Sequence, residues 1–190
     1  ALICDATALV ALGTIDSIHL LRHVDMEVVI SPWVRERELR RFTSQVDLGI
    51  AEGWLRVHEP SASEVRSLIE SARDGFDLDR GEAETLIVAA SQANQPTFVL
   101  IDEDEAFRFT RSVLIGRSAT RNWSLVCLAE ILHQLEAGGH IDSAFGMMQR
   151  LLDGDHYHWS PAVWAHYARI CEQRGLFPFE NGKPDLTARG

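Results

Sequence analysis

The chemistry this chain could do rests on its acids. Asp5 follows the short apolar run Leu2 to Cys4, Asp102 follows the run Thr97 to Ile101, and Glu82 stands three residues after Asp79 in a pattern that opens a helix. In a sheet of parallel strands, right-handed crossovers carry strand C-terminal ends and the first turns of the following helices to one edge. Carboxylates from distant parts of the chain are therefore expected at a single rim. Crowded carboxylates repel and raise one another's pKa, so such a cluster persists only if it is partly protonated or holds a cation. Oxygen donors without a histidine or cysteine among them favour Mg²⁺ or Mn²⁺ over zinc. A further acid is expected from the helix after Pro32. Val34, Glu38 and Phe42 recur every four residues, which puts Glu38 on the inward stripe and Glu36 to its side.

Each acid alone also has a structural explanation. Asp5 could be a turn residue or helix cap, Glu82 completes a capping box with Asp79, and Asp102 to Glu105 could be a solvated helix start. Their joint placement is what suggests a site, and the elements that must position them can be read along the chain. Ala8, Leu9, Leu12, Ile15 and Ile18 recur at helical spacing, Glu27 to Ile30 reads as a strand, and Ser31-Pro32 is a helix start. Trp54 to Val57 is a short candidate strand, and Ser61 with Glu64 opens a helix striped by Val65, Leu68, Ile69 and Ala72. Ala106 to Val113 reads as helix, Gly116 to Asn122 as a turn that could hold a last strand, and Trp123 to Glu136 as a helix closed by Gly138-Gly139. Two more helices are expected over Asp142 to Leu152 and Ala162 to Arg174. Short strands alternating with longer helices predict an α/β fold, a parallel sheet flanked by helices, with extra C-terminal helices.

Composition narrows the function. The 190 residues have 46% hydrophobic and 24% charged content, which excludes disordered, collagen-like and disulfide-scaffold classes. No apolar run approaches the ~18 residues of a membrane span. No charged and greasy leader precedes the first strand, which suggests a cytoplasmic protein with no membrane partner. Cys4, Cys127 and Cys171 lie among apolar neighbours, as reduced core thiols do. The net charge of −10 argues against nonspecific coating of nucleic acid. Lys183 is the sole lysine, so the P-loop is excluded. A haloacid-dehalogenase-like phosphatase is disfavoured as well, because Thr7 stands where its second aspartate belongs and the body has no lysine. His156, His158 and His166 with Tyr157 and Trp159 read as a helix-packing joint rather than a metal site.

Four segments in order resemble the PIN-domain family, in the branch that carries a glycine-glutamate motif. They are Ile3-Cys4-Asp5-Ala6-Thr7-Ala8-Leu9, Val28 to Val34 followed by Glu38-Leu39, Leu78-Asp79-Arg80-Gly81-Glu82-Ala83-Glu84, and Val99-Leu100-Ile101-Asp102-Glu103. His158-Trp159-Ser160-Pro161 and the helix after it resemble the C-terminal helix of that branch, so the likeness spans about residues 2 to 176. One domain over residues 1–176 is expected, with 177–190 as a loosely held tail. The chain departs from the pattern in three places. Pro32 to Glu38 is one residue longer than usual, which puts Arg37 where the acid is expected, and Glu103 replaces an aspartate. Arg121-Asn122 replaces a late Gly-Thr pair.

The resemblance implies a metal-dependent ribonuclease, the toxin half of a toxin-antitoxin pair, with an antitoxin partner and a homodimer as the working unit. Asp5, Glu38, Glu82 and Asp102 are the expected catalytic acids; Glu36 competes with Glu38, Glu84 competes with Glu82, and Glu103 and Asp104 widen the candidate ligands of Mg²⁺ or Mn²⁺. Thr7 and Asn122 are expected to orient those acids. Arg35, Arg37, Arg41, Arg108 and Arg111 are the expected phosphate contacts on RNA, with Arg40, Arg117 and Arg121 beside them. The rival reading is a non-catalytic binding module on a decayed PIN-like fold.

Overall fold

The structure is a computed structural model in which residues 1–72, 75–92, 94–111 and 122–174 are described. The tail 177–190 and the residues Arg117 and Arg121 lie outside the described residues.

Five parallel strands form one sheet in the order β3-β2-β1-β4-β5. They are β1 (Leu2–Cys4), β2 (Val28–Ile30), β3 (Leu55–Val57), β4 (Thr97–Leu100) and β5 (Trp123–Val126). The central strand β1 and its neighbour β2 read as unbroken apolar runs because helices cover them, and every residue of both is buried. The chain lays β1, β2 and β3 outward in one direction, then returns to place β4 on the other side of β1. The order reverses between β1 and β4, and the carboxyl ends of these two strands are where open α/β sheets carry their sites. Asp5 and Asp102 follow those two ends.

Helices α1 (Ala6–Thr14), α2 (Thr43–Ala51), α3 (Ala62–Ala72), α4 (Arg80–Ser91), α5 (Asp104–Phe109), α6 (Leu128–Ala137), α7 (Ala144–Asp153) and α8 (Pro161–Arg174) make the connections and the C-terminal layer. Ile18 does not extend α1 but opens a separate 3-10 segment, Ile18–His23. Trp123 to Val126 is the last strand, not the start of a helix as its apolar spacing suggested, and α6 starts only after Cys127. Four residues cannot distinguish the two periods, and the ladder to β4, with Thr97 opposite Trp123 and Leu100 opposite Val126, decides for the strand. The glycine stop is as read: Gly138 ends α6 and Gly139 takes a φ of +71°.

The segment after Pro32 departs from an α-helix. The Ser31 hydroxyl accepts the Val34 N–H at 3.2 Å, but the Leu39 N–H reaches back five residues to the Val34 carbonyl at 2.9 Å. Val34–Glu38 is thus a π turn, a widened turn that takes up one extra residue. The longer Pro32-to-Glu38 spacing is stored there.

Candidate active site

Asp5 begins where β1 stops. Its N–H donates to the Leu100 carbonyl of β4 at 3.0 Å, and its backbone is extended as the residue before α1. Its carboxylate is buried, and burial is the main cause that lifts its pKa to about 6, with the charges of Asp79 and Glu103 adding to it. The N–H groups of Ala6 and Thr7 pull the other way. Thr7 itself is exposed, so its backbone reaches the acid while its side chain faces outward.

Three further carboxylates feel the charge of Asp5. Asp102, buried two residues past β4, is raised to about 7, chiefly by burial. Both of its oxygens accept the Leu128 N–H, at 3.0 and 3.3 Å. The neighbouring Tyr157 hydroxyl and the Leu128 N–H favour its ionised form and partly offset the effect of burial. Glu82 is raised to about 8, again first by burial, and then by Asp79, Asp5 and Glu103. It completes a full capping box: the Asp79 N–H donates to Glu82 Oε2 at 2.8 Å, and the Glu82 N–H donates to Asp79 Oδ1 at 2.8 Å. Glu38 is raised to about 7 by burial and by Asp5, Asp79 and Glu84, and its Oε1 is buried with no hydrogen-bond partner. Glu36, two residues earlier, is exposed.

Gly81 makes room for this arrangement. A side chain there would collide with Glu38 Oε1 and press on Trp33 Cδ1, so the glycine of the Gly81-Glu82 pair is the floor on which the Glu38 carboxylate rests. Of the remaining candidate ligands, Glu84 is buried and committed elsewhere, accepting the Trp33 N–H at 3.1 Å and Arg80 Nε at 2.9 Å. Glu103 caps α5 by accepting the Glu105 N–H at 2.8 Å, and Asp104 accepts the Ala162 N–H of α8 at 2.9 Å. Asn122 stands apart from the acids. Its carbonyl accepts the Thr97 N–H where β4 and β5 begin, at the sheet edge opposite the rim.

Behind Asp102 lies a layer that the sequence did not tie to the site. Glu130 and His166 form a buried pair at 2.9 Å, and Glu130 Oε2 also accepts the Cys127 N–H. Burial pushes Glu130 up, but His166 and the Cys127 N–H outweigh it and hold its pKa below the usual range. His166 packs edge-on against Phe107 of α5, and Tyr157, Trp159, Trp164 and Tyr167 pack ring on ring at and before the start of α8, as a helix-packing joint should.

The donor set fits a hard divalent cation. It contains only oxygens, its members repel one another, and one carboxylate oxygen is buried without a partner. The side chains do not form a finished cage as they stand: among the described residues, no three His, Cys, Asp or Glu groups are gathered closely enough to hold an ion. Glu82 and Asp102 spend their oxygens on backbone N–H groups instead.

An acidic rim at the reversal point of a parallel α/β sheet defines a PIN-like fold. A family model described as a PIN domain matches residues 1–173, and the chain belongs to that family. PIN domains are in general nucleases, which hydrolyse phosphodiester bonds. No curated protein and no solved structure matches the chain significantly. Among the described residues no helix is long and apolar enough to cross a membrane.

Proposed function

We propose that the protein is a metal-dependent endoribonuclease whose Asp5, Glu38, Glu82 and Asp102 hold Mg²⁺ or Mn²⁺ at the strand ends. The observation that carries this reading is the convergence of charge on Asp5: the three other acids, from separate parts of the chain, are each raised by it. When bound, a divalent cation lowers the pKa of an attacking water and neutralises a phosphoryl oxygen. The chain supplies the rest. Asp102, fixed by the Leu128 N–H, and Asp5, fixed by the ladder, are rigid donors, whereas Glu38 on its wide turn and Glu82 at a helix start have longer arms to reach the ion. Glu38, whose buried Oε1 has no hydrogen-bond partner, is the acid left to turn to the ion or to its water.

The test is cleavage of single-stranded RNA by the purified chain with Mg²⁺ and with a chelator. Cleavage that needs the metal and vanishes in Asp5→Asn supports the proposal. The same proposal includes an antitoxin that covers the rim and a homodimer, to be checked by sedimentation of the chain alone and with a co-expressed partner. The engagement of Glu82 and Asp102 by backbone N–H groups favours one rival, a binding module without catalysis. Calorimetry separates the two, since the rival binds RNA without taking up metal.

A further inference from the structure

The arginines near the rim are not equivalent. Arg35 donates to Asp47 at 2.9 Å, and Arg108 leans on Asp104 at 3.7 Å. Arg41 and Arg111 are exposed. Two others, Arg37 and Arg80, are gathered on one indole. The Arg80 guanidinium carbon lies 4.5 Å from the centre of the Trp33 ring, and that of Arg37 lies 5.5 Å from it. A tryptophan ring attracts guanidinium groups, and here one ring has two of these like charges within reach.

Glu84 locks the platform in place. One of its oxygens takes the backbone N–H of Trp33 and the other takes Arg80 Nε, so one buried carboxylate ties the guanidinium to the stretch of backbone that carries the indole. The bond to Glu84 uses only Nε of Arg80, and its side chain is 57% exposed, so the two terminal amino groups remain to grip an anion as a fork. Arg37 is exposed and has no carboxylate partner among the described residues. The platform adjoins the acids, because Trp33 Cδ1 and Glu38 Oε1 both crowd the space above Gly81. Arg80 and Glu84 also line a cavity of about 320 Å³ between α3 and α4, shared with Glu59, Arg66, Ile69 and Glu70.

We propose that Trp33, Arg37 and Arg80 form a phosphate subsite for the RNA strand, taking the phosphodiester next to the one to be cut, with the strand continuing toward the α3–α4 cavity. The inference rests on the ribonuclease reading. A bound phosphate offsets the like charge of the two guanidinium groups, and the subsite gives a chain of net charge −10 a local hold on a polyanion. Glu84 thereby has a positioning role rather than a place on the metal.

The test is binding of a short fluorescent single-stranded RNA to the full chain carrying Asp5→Asn, which prevents cleavage, in the presence of Mg²⁺ and over a range of salt. Each phosphate contact contributes about 0.7 to the slope of log affinity against log salt. Arg37→Gln and Arg80→Gln should each lower the slope by about that amount, and Trp33→Leu should remove both contributions, with Trp33→Phe restoring most of them. Binding with an unchanged slope in both arginine variants overturns the subsite and leaves the ribonuclease reading standing. Should Trp33→Leu fail to fold, the two exposed arginine positions decide alone. A wild-type chain that neither binds nor cleaves RNA with metal present overturns the reading and the subsite together.

Discussion

At the scale of the residue, the acids at the rim are held against their own preference. Asp5 is fully buried and lifted to about 6, so near pH 8 the folded protein carries a charge it would rather lose. Asp5→Asn removes that charge and keeps the shape. The metal-free variant is expected to melt higher than the wild type near pH 8, by about 2–4 °C for each ~1 kcal/mol of relieved repulsion, while losing metal-dependent cleavage. A lower melting temperature would show that Asp5 is structural. Gly81 offers a sharper separation. Alanine there lowers the backbone entropy cost of glycine, the atom it would strike is the far end of the flexible Glu38 side chain, and the Trp33 ring need give by only a few tenths of an ångström. Stability should therefore hold in Gly81→Ala, while the displaced Glu38 costs about 10- to 100-fold in Mn²⁺ affinity, read by calorimetry. Unchanged affinity would take Glu38 off the metal.

At the scale of the element, one acid in the motif that ends β4 belongs to packing. Asp104 accepts the Ala162 N–H in the first turn of α8 and so joins α5 to the C-terminal layer. Loss of a cap costs about 1 kcal/mol, so Asp104→Ala should lower the melting temperature by about 2–4 °C and leave Mg²⁺ binding intact. Weakened metal binding in that variant would return Asp104 to the site. The strands and caps that place the acids were legible because they are local signals: Asp5 and Asp102 close apolar runs, and the Asp79-Glu82 box forms as written. Glu38 was named for a partly mistaken reason. The expected α phase from Val34 to Phe42 is broken by the π turn and by the 3-10 segment Arg40–Phe42, although Glu38 still faces the acids while Glu36 is exposed. The Glu130–His166 pair and the use of Glu84 by Trp33 and Arg80 were not legible, because both depend on contacts between residues 36 and 51 positions apart.

At the scale of the whole molecule, the rim ties stability to pH and, on the proposed reading, to metal. Asp5, Glu38, Glu82 and Asp102 have folded pKa values of about 6, 7, 8 and 7, all above those of an unfolded chain. Between about pH 4 and pH 8 the folded protein therefore binds more protons than the unfolded one, and stability falls as pH rises through that window. Glu130, held low by His166, works in the opposite sense, but it is one group against four. In a chelator the melting temperature should drop between about pH 5 and pH 8. Added Mn²⁺ should restore it, more at pH 8 than at pH 6, because the donors must be deprotonated to bind. A chelated protein whose melting temperature stays level across that range would show that the acids bear no strain. The π turn has a consequence for how molecules of this kind are compared. Counting from Pro32, the family's acid falls on Arg37, and a comparison made by position alone would class this chain as having exchanged a carboxylate for a cation. The surplus residue ends in the bulge of one turn, and on the proposed reading that turn brings Glu38 rather than Arg37 among the acids. Kinship in such folds is better judged by which carboxylates meet in space than by which letters align.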